Sequence, residues 1–185
     1  MKAVFGLGNP GLDYALTRHN VGFQVIDLYR RLNRLSGKGR IEDGGLAYRD
    51  DDLLLVKPLS YMNESGPVVK AILDKHGIAP SDALIVHDEL DLPLGKMKVR
   101  PSGRAGSHKG VRSVLEALGT EGIGRLKIGI EIEGRSAPGI RFVLERFTPE
   151  EWERILPVLE RAAEAIGLFR EEGLEAAMAR FNRAD

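Results

Sequence analysis

The sequence predicts an α/β fold, a single domain over residues 1–185 with a mixed, mostly parallel twisted sheet flanked by helices on both faces. Three observations predict it. Short apolar runs alternate with longer amphipathic segments, the order expected of strands joined by crossover helices. The runs Leu53–Lys57 and Ala83–His87 are apolar almost throughout, as strands covered on both faces are. There is no internal repeat and no linker long enough to divide the chain.

Lys2–Phe5 reads as the first strand, and Gly6-Leu7-Gly8-Asn9-Pro10-Gly11 follows it as a loop. The first helix runs from about Asn20 to Leu32, with Val21, Val25, Leu28 and Leu32 on one face. Strands Leu46–Arg49 and Leu53–Lys57 come next. A second helix opens at Pro67, a residue suited to the first turn, and stops at Gly77. Strands Ala83–His87 and Lys96–Arg100 lead into a basic lid and helix start at residues 101–115. The helix itself runs from about His108 to Leu118 and is stopped by Gly119. Leu126–Ile132 is the last strand. The carboxyl-terminal helices occupy about 148–182. Thr148-Pro149-Glu150-Glu151 is a capping box with proline in the first turn. Ile155, Leu159, Ala162, Ile166 and Phe169 give that helix its core-facing stripe, and Gly173 breaks it before a short last helix.

Composition narrows the function classes. There is no apolar run of spanning length and no charged-apolar-small leader, so the chain reads as soluble and unexported. Cysteine is absent, which removes disulfides, thiolate nucleophiles and cysteine metal sites, and fits a reducing compartment. Arginine outnumbers lysine and glutamine is almost absent, a pattern that suits a thermophile. The few asparagines include Asn9, Asn20 and Asn63, all in unusual segments.

The net charge is zero and by itself predicts no nucleic-acid partner. Its distribution does. Lys96, Lys98, Arg100, Arg104, Lys109 and Arg112 lie together with no acidic residue among them, interleaved with Gly and Ser ahead of a helix start. That arrangement favours phosphate. The smaller block of Arg30, Arg31, Arg34, Lys38 and Arg40 reads as a solvated face.

Gly6-x-Gly8-x-x-Gly11 after a strand matches the dinucleotide fingerprint, but the match fails on context. Pro10 interrupts the loop, no helix opens on the glycines, and Asp27, the nearest acidic residue, falls inside a helix rather than at a strand end. His87-Asp88-Glu89-Leu90-Asp91 could suggest a metal, but neither zinc-type spacing nor a calcium loop is present, and no metal is expected. His19 and Asp88 instead suit a base and its orienter, with the amides of Asn9 and Asn63 as hydrogen-bonding groups. Tyr61 and Met62 put an aromatic and a thioether on a loop, which suits an adaptable binding surface. Gly103 to Gly110, with His108 inside it, fits either an anion-facing lid or a flexible surface turn. No serine stands in a nucleophile elbow. The inventory suits direct hydrolysis by a histidine-activated water.

In combination these motifs resemble bacterial peptidyl-tRNA hydrolase. The segments are Gly6-Leu-Gly-Asn-Pro-Gly11 with Tyr14 and Thr17-Arg-His-Asn-Val-Gly22, Lys57-Pro-x-x-Tyr-Met-Asn-x-Ser-Gly66, His87-Asp-Glu-Leu-Asp-Leu-Pro-x-Gly95 and Gly106-x-His-x-Gly110. The resemblance covers nearly the whole chain in order. It implies cleavage of the ester joining a peptide to the terminal ribose of tRNA, by a monomeric cytoplasmic enzyme that needs no metal or cofactor. It implies that His19 is the catalytic histidine and Asp88 its partner, with Asn9 and Asn63 holding the peptide and the water or transition state. Tyr14 falls in the substrate-binding motif. Tyr61 and Met62 line the cleft, His108 sits on the lid, and Arg100 and Lys127 clamp the tRNA 5′-phosphate. One departure stands out. The family usually carries Gly-Gly-His-Asn-Gly where this chain has Ser107 and Lys109, and a lysine contacts phosphate rather than inheriting an amide's role. A non-catalytic RNA-binding relative is the competing reading. The retained set His19, Asp88, Asn9 and Asn63 argues against it, because binding alone needs no base.

Overall fold

A computed structural model describes residues 1–183. Among them, seven strands form one sheet in the order β2-β3-β4-β1-β5-β7-β6. The strands are β1 (Lys2–Gly6), β2 (Arg40–Glu42), β3 (Gly45–Asp50), β4 (Leu53–Pro58), β5 (Ala83–Pro93), β6 (Met97–Arg100) and β7 (Gly124–Glu131). The central pairs β4–β1, β1–β5 and β5–β7 are parallel, and the flanking pairs are antiparallel. The helices are α1 (Val21–Leu32), α2 (Ser65–His76), α3 (Lys109–Leu118), α4 (Gly139–Phe142), α5 (Pro149–Glu172) and α6 (Leu174–Phe181).

The alternation of side chains along the central strands makes two cores. Val4, Leu53, Leu55, Leu84 and Val86 face α1, α5 and α6. Ala3, Phe5, Leu54, Val56 and Ile85 face α2 and α3. Both faces being covered is why these strands are apolar in nearly every position. Each of the wholly buried aliphatic side chains contributes about 1.5–3 kcal/mol on leaving water. Helix α1 approaches the sheet so closely that a Cβ at Gly22 would collide with the backbone of Leu7 and the carbonyl of Val86. At the other end of the molecule Lys2 Nζ donates to the carbonyls of Phe169 at 2.7 Å and Arg170 at 2.9 Å, near the end of α5.

Several expectations change in detail. Leu32, assigned to the buried face of α1, is 55% exposed. Helix α2 starts at Ser65 rather than Pro67; proline still sits in the first turn, where its missing N–H costs nothing. Strand β5 runs past His87 to Pro93, because Asp88 and Glu89 continue the ladder with Ile128 and Gly129 of β7. Their side chains face a cavity instead of the core, so a polar run hides a strand. β2 is a three-residue strand turned back by Asp43 and Gly44, both at positive φ (46° and 81°). Positive φ at both central residues, with Asp-Gly there, is the signature of a two-residue hairpin. The capping box is present as expected: Thr148 Oγ1 accepts from the Glu151 N–H and Glu151 Oε2 from the Thr148 N–H, each at 3.2 Å.

Candidate active site

Chain reversal places the site. The loop after β1 turns to α1 on one face of the sheet, and the loop after the neighbouring β4 turns to α2 on the other. A crevice therefore opens at the carboxyl ends of these strands, where ligands bind in open α/β sheets. Asn9 and Met62 meet there, with Asn9 Oδ1 accepting the Met62 N–H at 2.7 Å. Asn20, buried at the head of α1, fixes Asn9 in turn. Its Oδ1 accepts from the Asn9 N–H and its Nδ2 donates to the Asn9 carbonyl, both at 2.9 Å. This leaves Nδ2 of Asn9 as its uncommitted amide group.

Asp88 joins three segments. It lies on β5 beyond the last residue paired with β1, Val86, and it is 2% exposed. His19 Nδ1 lies 3.0 Å from its Oδ1 and 2.8 Å from its Oδ2. His108 Nε2 lies 2.9 Å from Oδ1. His108 is the N-cap of α3, and its Nδ1 accepts the Val111 N–H at 3.2 Å. A ring nitrogen that accepts carries no proton, so His108 donates to Asp88 through Nε2–H. Gly110 permits this packing, since a Cβ there would collide with the Met62 sulfur.

The electrostatics follow from burial and charge. Burial alone would lower the His19 pKa, but the charge and the hydrogen bond of Asp88 together outweigh it and raise the pKa above its ordinary value; Lys109 opposes that rise. Burial pushes Asp88 upward, but the two neighbours that hydrogen-bond it, His19 and His108, hold it well below the usual carboxylate range. His87 is pulled down to about 3, first by burial and then by its neighbour His108, so it is neutral. Its Nδ1 donates to the Asp88 carbonyl at 2.7 Å, and its ring meets that of His108 edge-on with centroids 4.9 Å apart.

These groups face a cavity of about 460 Å³. His19, Asp88, His108 and Lys109 line it together with Glu89, Asp91, Ile140 and Val143. His19, Asp88 and His108 bring three metal-capable atoms within 4.8 Å of one another. Each of those atoms is engaged in a hydrogen bond within the set, and a bound cation would have to replace these bonds.

The structure thus gathers His19, Asp88, His108 and Lys109 around one cavity. His108 is neither on an exposed lid nor in a flexible turn; it is 8% exposed and held at both ring nitrogens. Met62 uses its amide at Asn9, while its side chain is buried against Gly110 rather than lining an open cleft. Tyr61 and Asn63 are exposed beside it, and Tyr14 is half-buried. Arg100 and Lys127 lie on the antiparallel β6–β7 pair, whose register sets Lys98 opposite Lys127 and Arg100 opposite Arg125. Arg100 and Lys127 are therefore diagonal neighbours on one face. Lys127 Nζ reaches Glu89 Oε1 at 3.3 Å, linking that basic face to the cavity wall.

Other residues were not legible in the sequence. Arg18, 3% exposed, sends Nη2 to Glu151 Oε2 at 2.7 Å and Nη1 to the Phe142 carbonyl at 3.1 Å, and lies 3.9 Å from the Phe142 ring centre. Buried Arg125 anchors the glycine loop by donating to the Arg104 carbonyl at 3.0 Å and to the Gly103 carbonyl. Only the adjacency of Arg18 to His19, and of Arg125 to a basic strand, hinted at either.

Comparison with known proteins agrees with this geometry. The family model described as peptidyl-tRNA hydrolase matches residues 3–185. The peptidyl-tRNA hydrolase of Aquifex aeolicus is 39% identical over 190 aligned residues, covering 100% of this chain and 98% of that protein. That of Moorella thermoacetica is 42% identical over 193, covering 97% and 96%. The crystal structure of the Acinetobacter baumannii peptidyl-tRNA hydrolase superposes with a TM-score of 0.89 at 28% identity, covering 100% of this chain and 96% of that one. With the family model matched over residues 3–185 and relatives of about 40% identity covered almost end to end, this protein belongs to the peptidyl-tRNA hydrolase family.

Proposed function

We propose that the protein hydrolyses the ester between a peptide, or an N-blocked aminoacyl group, and the 3′ ribose of tRNA, recycling tRNA from prematurely released peptidyl-tRNA. The observation that carries this is the His19–Asp88 contact of 2.8 Å at the wall of a cavity. With Nδ1–H donated to Asp88, Nε2 of neutral His19 is the basic nitrogen. It takes a proton from water as the water oxygen attacks the ester carbonyl, and the carbonyl electrons move to oxygen. Asp88 stabilises the imidazolium so formed. Collapse of the tetrahedral species expels the ribose oxygen, which receives the proton back. No acyl-enzyme forms, and no metal or cofactor enters the step.

In this reading Nδ2 of Asn9 and the amide of Asn63 donate to the developing oxyanion or position the water. Tyr14 and Tyr61 border the tRNA 3′ end and the peptide. Arg100 and Lys127 hold the 5′-phosphate of the acceptor stem, and Lys109 contacts a phosphate near the reacting end. The protein works as a single-domain monomer in the cytoplasm. No helix among the described residues is long and apolar enough to cross a membrane.

Release of N-acetylaminoacyl groups from tRNA, compared between wild type and His19→Ala in EDTA, tests the reading. Cleavage by wild type alone, undiminished by chelation, is expected. Wild-type protein that binds tRNA and cleaves nothing would favour a non-catalytic RNA binder instead.

A further inference from the structure

Four large apolar side chains are exposed on two adjoining segments: Leu12 (90%), Leu16 (51%), Ile140 (64%) and Leu144 (46%). The segments run side by side. His19 N–H donates to the Val143 carbonyl, Arg18 N–H to the Glu145 carbonyl, and Thr17 bridges Arg146. At one end of this ribbon Ile140 and Val143 line the cavity at His19. At the other end a separate cavity of about 390 Å³ opens between Leu16, Arg146, Phe147, Thr148, Pro149 and Trp152. The Phe147 and Trp152 rings face it from a tilted pair with centroids 5.8 Å apart. Exposed leucines grouped this way beside an aromatic cavity mark a binding surface rather than ordinary surface scatter.

Resting on the proposed hydrolysis of peptidyl-tRNA, we infer that this apolar shoulder receives the upstream part of the substrate's peptide, with the Leu16–Trp152 cavity as a subsite for one apolar side chain. Continuity with the catalytic cavity identifies the occupant. The ester must lie at His19, so the peptide leaves the cavity from a fixed point and passes Ile140. From His19 to Leu16 is three residues of chain, a span of at most about 10 Å. Three residues of extended peptide cover the same reach. The subsite therefore meets the third or fourth residue from the ester. Because the peptide is already tethered through the tRNA, a modest contact is enough to bias its rate. The buried Arg18–Glu151 pair at 2.7 Å fixes the distance between subsite and His19.

The test compares kcat/KM on two tetrapeptidyl-tRNAs that differ only in carrying leucine or serine at the third and fourth residues from the ester. Wild type is expected to prefer the leucine substrate by about tenfold. Trp152→Ala should bring the ratio close to one. Because Trp152 also packs on the core, the exposed pair Leu12→Ser/Leu16→Ser is measured beside it and should lower the ratio without loss of folding. Equal rates in wild type, or a preference that survives in both variants, overturn the subsite. Sedimentation that shows self-association dependent on Leu12 and Leu16, with no substrate preference, assigns the shoulder to a second copy of this chain and also overturns it. Failure of wild type to cleave even N-acetylaminoacyl-tRNA would instead remove the hydrolase reading on which the subsite rests.

Discussion

Arg18 and Glu151 form a buried ion pair at 2.7 Å, with side chains 3% and 11% exposed, that ties the turn bearing His19 to the first turn of α5. Glu151 is at the same time the closing residue of the capping box. One carboxylate therefore fixes both the start of a helix and the residue next to the base.

Removing one partner of such a pair leaves the other charge buried and unpaired. Arg18→Leu is expected to lower stability by about 3 kcal/mol. Urea denaturation of the variant measures this, and a loss within experimental error would show the pair to be energetically idle.

His19→Ala should reduce hydrolysis by about 10²–10⁴-fold, the usual contribution of a positioned general base. Retained affinity for tRNA, read by filter binding, distinguishes this from unfolding. Undiminished turnover would remove His19 from the mechanism.

Asp88→Asn should lower the rate and move its pH profile. The base is neutral His19, so activity rises as pH increases through a pKa that Asp88 holds above the ordinary 6.5. Loss of the carboxylate leaves burial and Lys109, which both lower the pKa, so the rising limb moves to lower pH. The same linkage acts on stability. The raised His19 pKa contributes stability that is fully present below about pH 6.5 and is lost as pH rises through the folded value. Thermal melts across that window should show the dependence in wild type and its loss in Asp88→Asn.

Lys109→Asn should have two separable effects. The salt dependence of tRNA binding should weaken by about one unit of slope if Lys109 meets a phosphate. The activity limb should move to higher pH, since Lys109 is among the groups that hold the His19 pKa down. A variant with wild-type salt slope and wild-type pH profile would leave Lys109 without a role in either.

His108→Asn separates capping from catalysis. Asparagine is a good N-cap, so α3 should keep its stability, while the bond to Asp88 is lost. Turnover is expected to fall by about tenfold, the equivalent of one hydrogen bond to a charged group. A rate equal to wild type would leave His108 as a helix cap alone.

The sheet and most helices could be read from apolar period and from glycine and proline stops, because burial on both faces writes itself into consecutive residues. Asp88 with His19 was legible for a different reason, since a lone histidine beside a glycine loop and an acidic strand end have few structural uses. The Asp43-Gly44 hairpin is signalled by the Asp-Gly pair itself. Helix α4 carries no such signal: four residues give no periodicity, yet they supply Ile140 to the cavity. The second bond of Asp88, to His108, spans 20 residues, and only the tertiary fold could reveal it.

The bonds from Lys2 to the carbonyls of Phe169 and Arg170 set a schedule for the newborn chain. β1 leaves the ribosome before its neighbours β4 and β5, and its lysine waits for a helix end about 170 residues downstream. Long-range closure of this kind postpones the final contacts of β1 until α5 has been made. Truncation of α5 should therefore be felt at the amino terminus first.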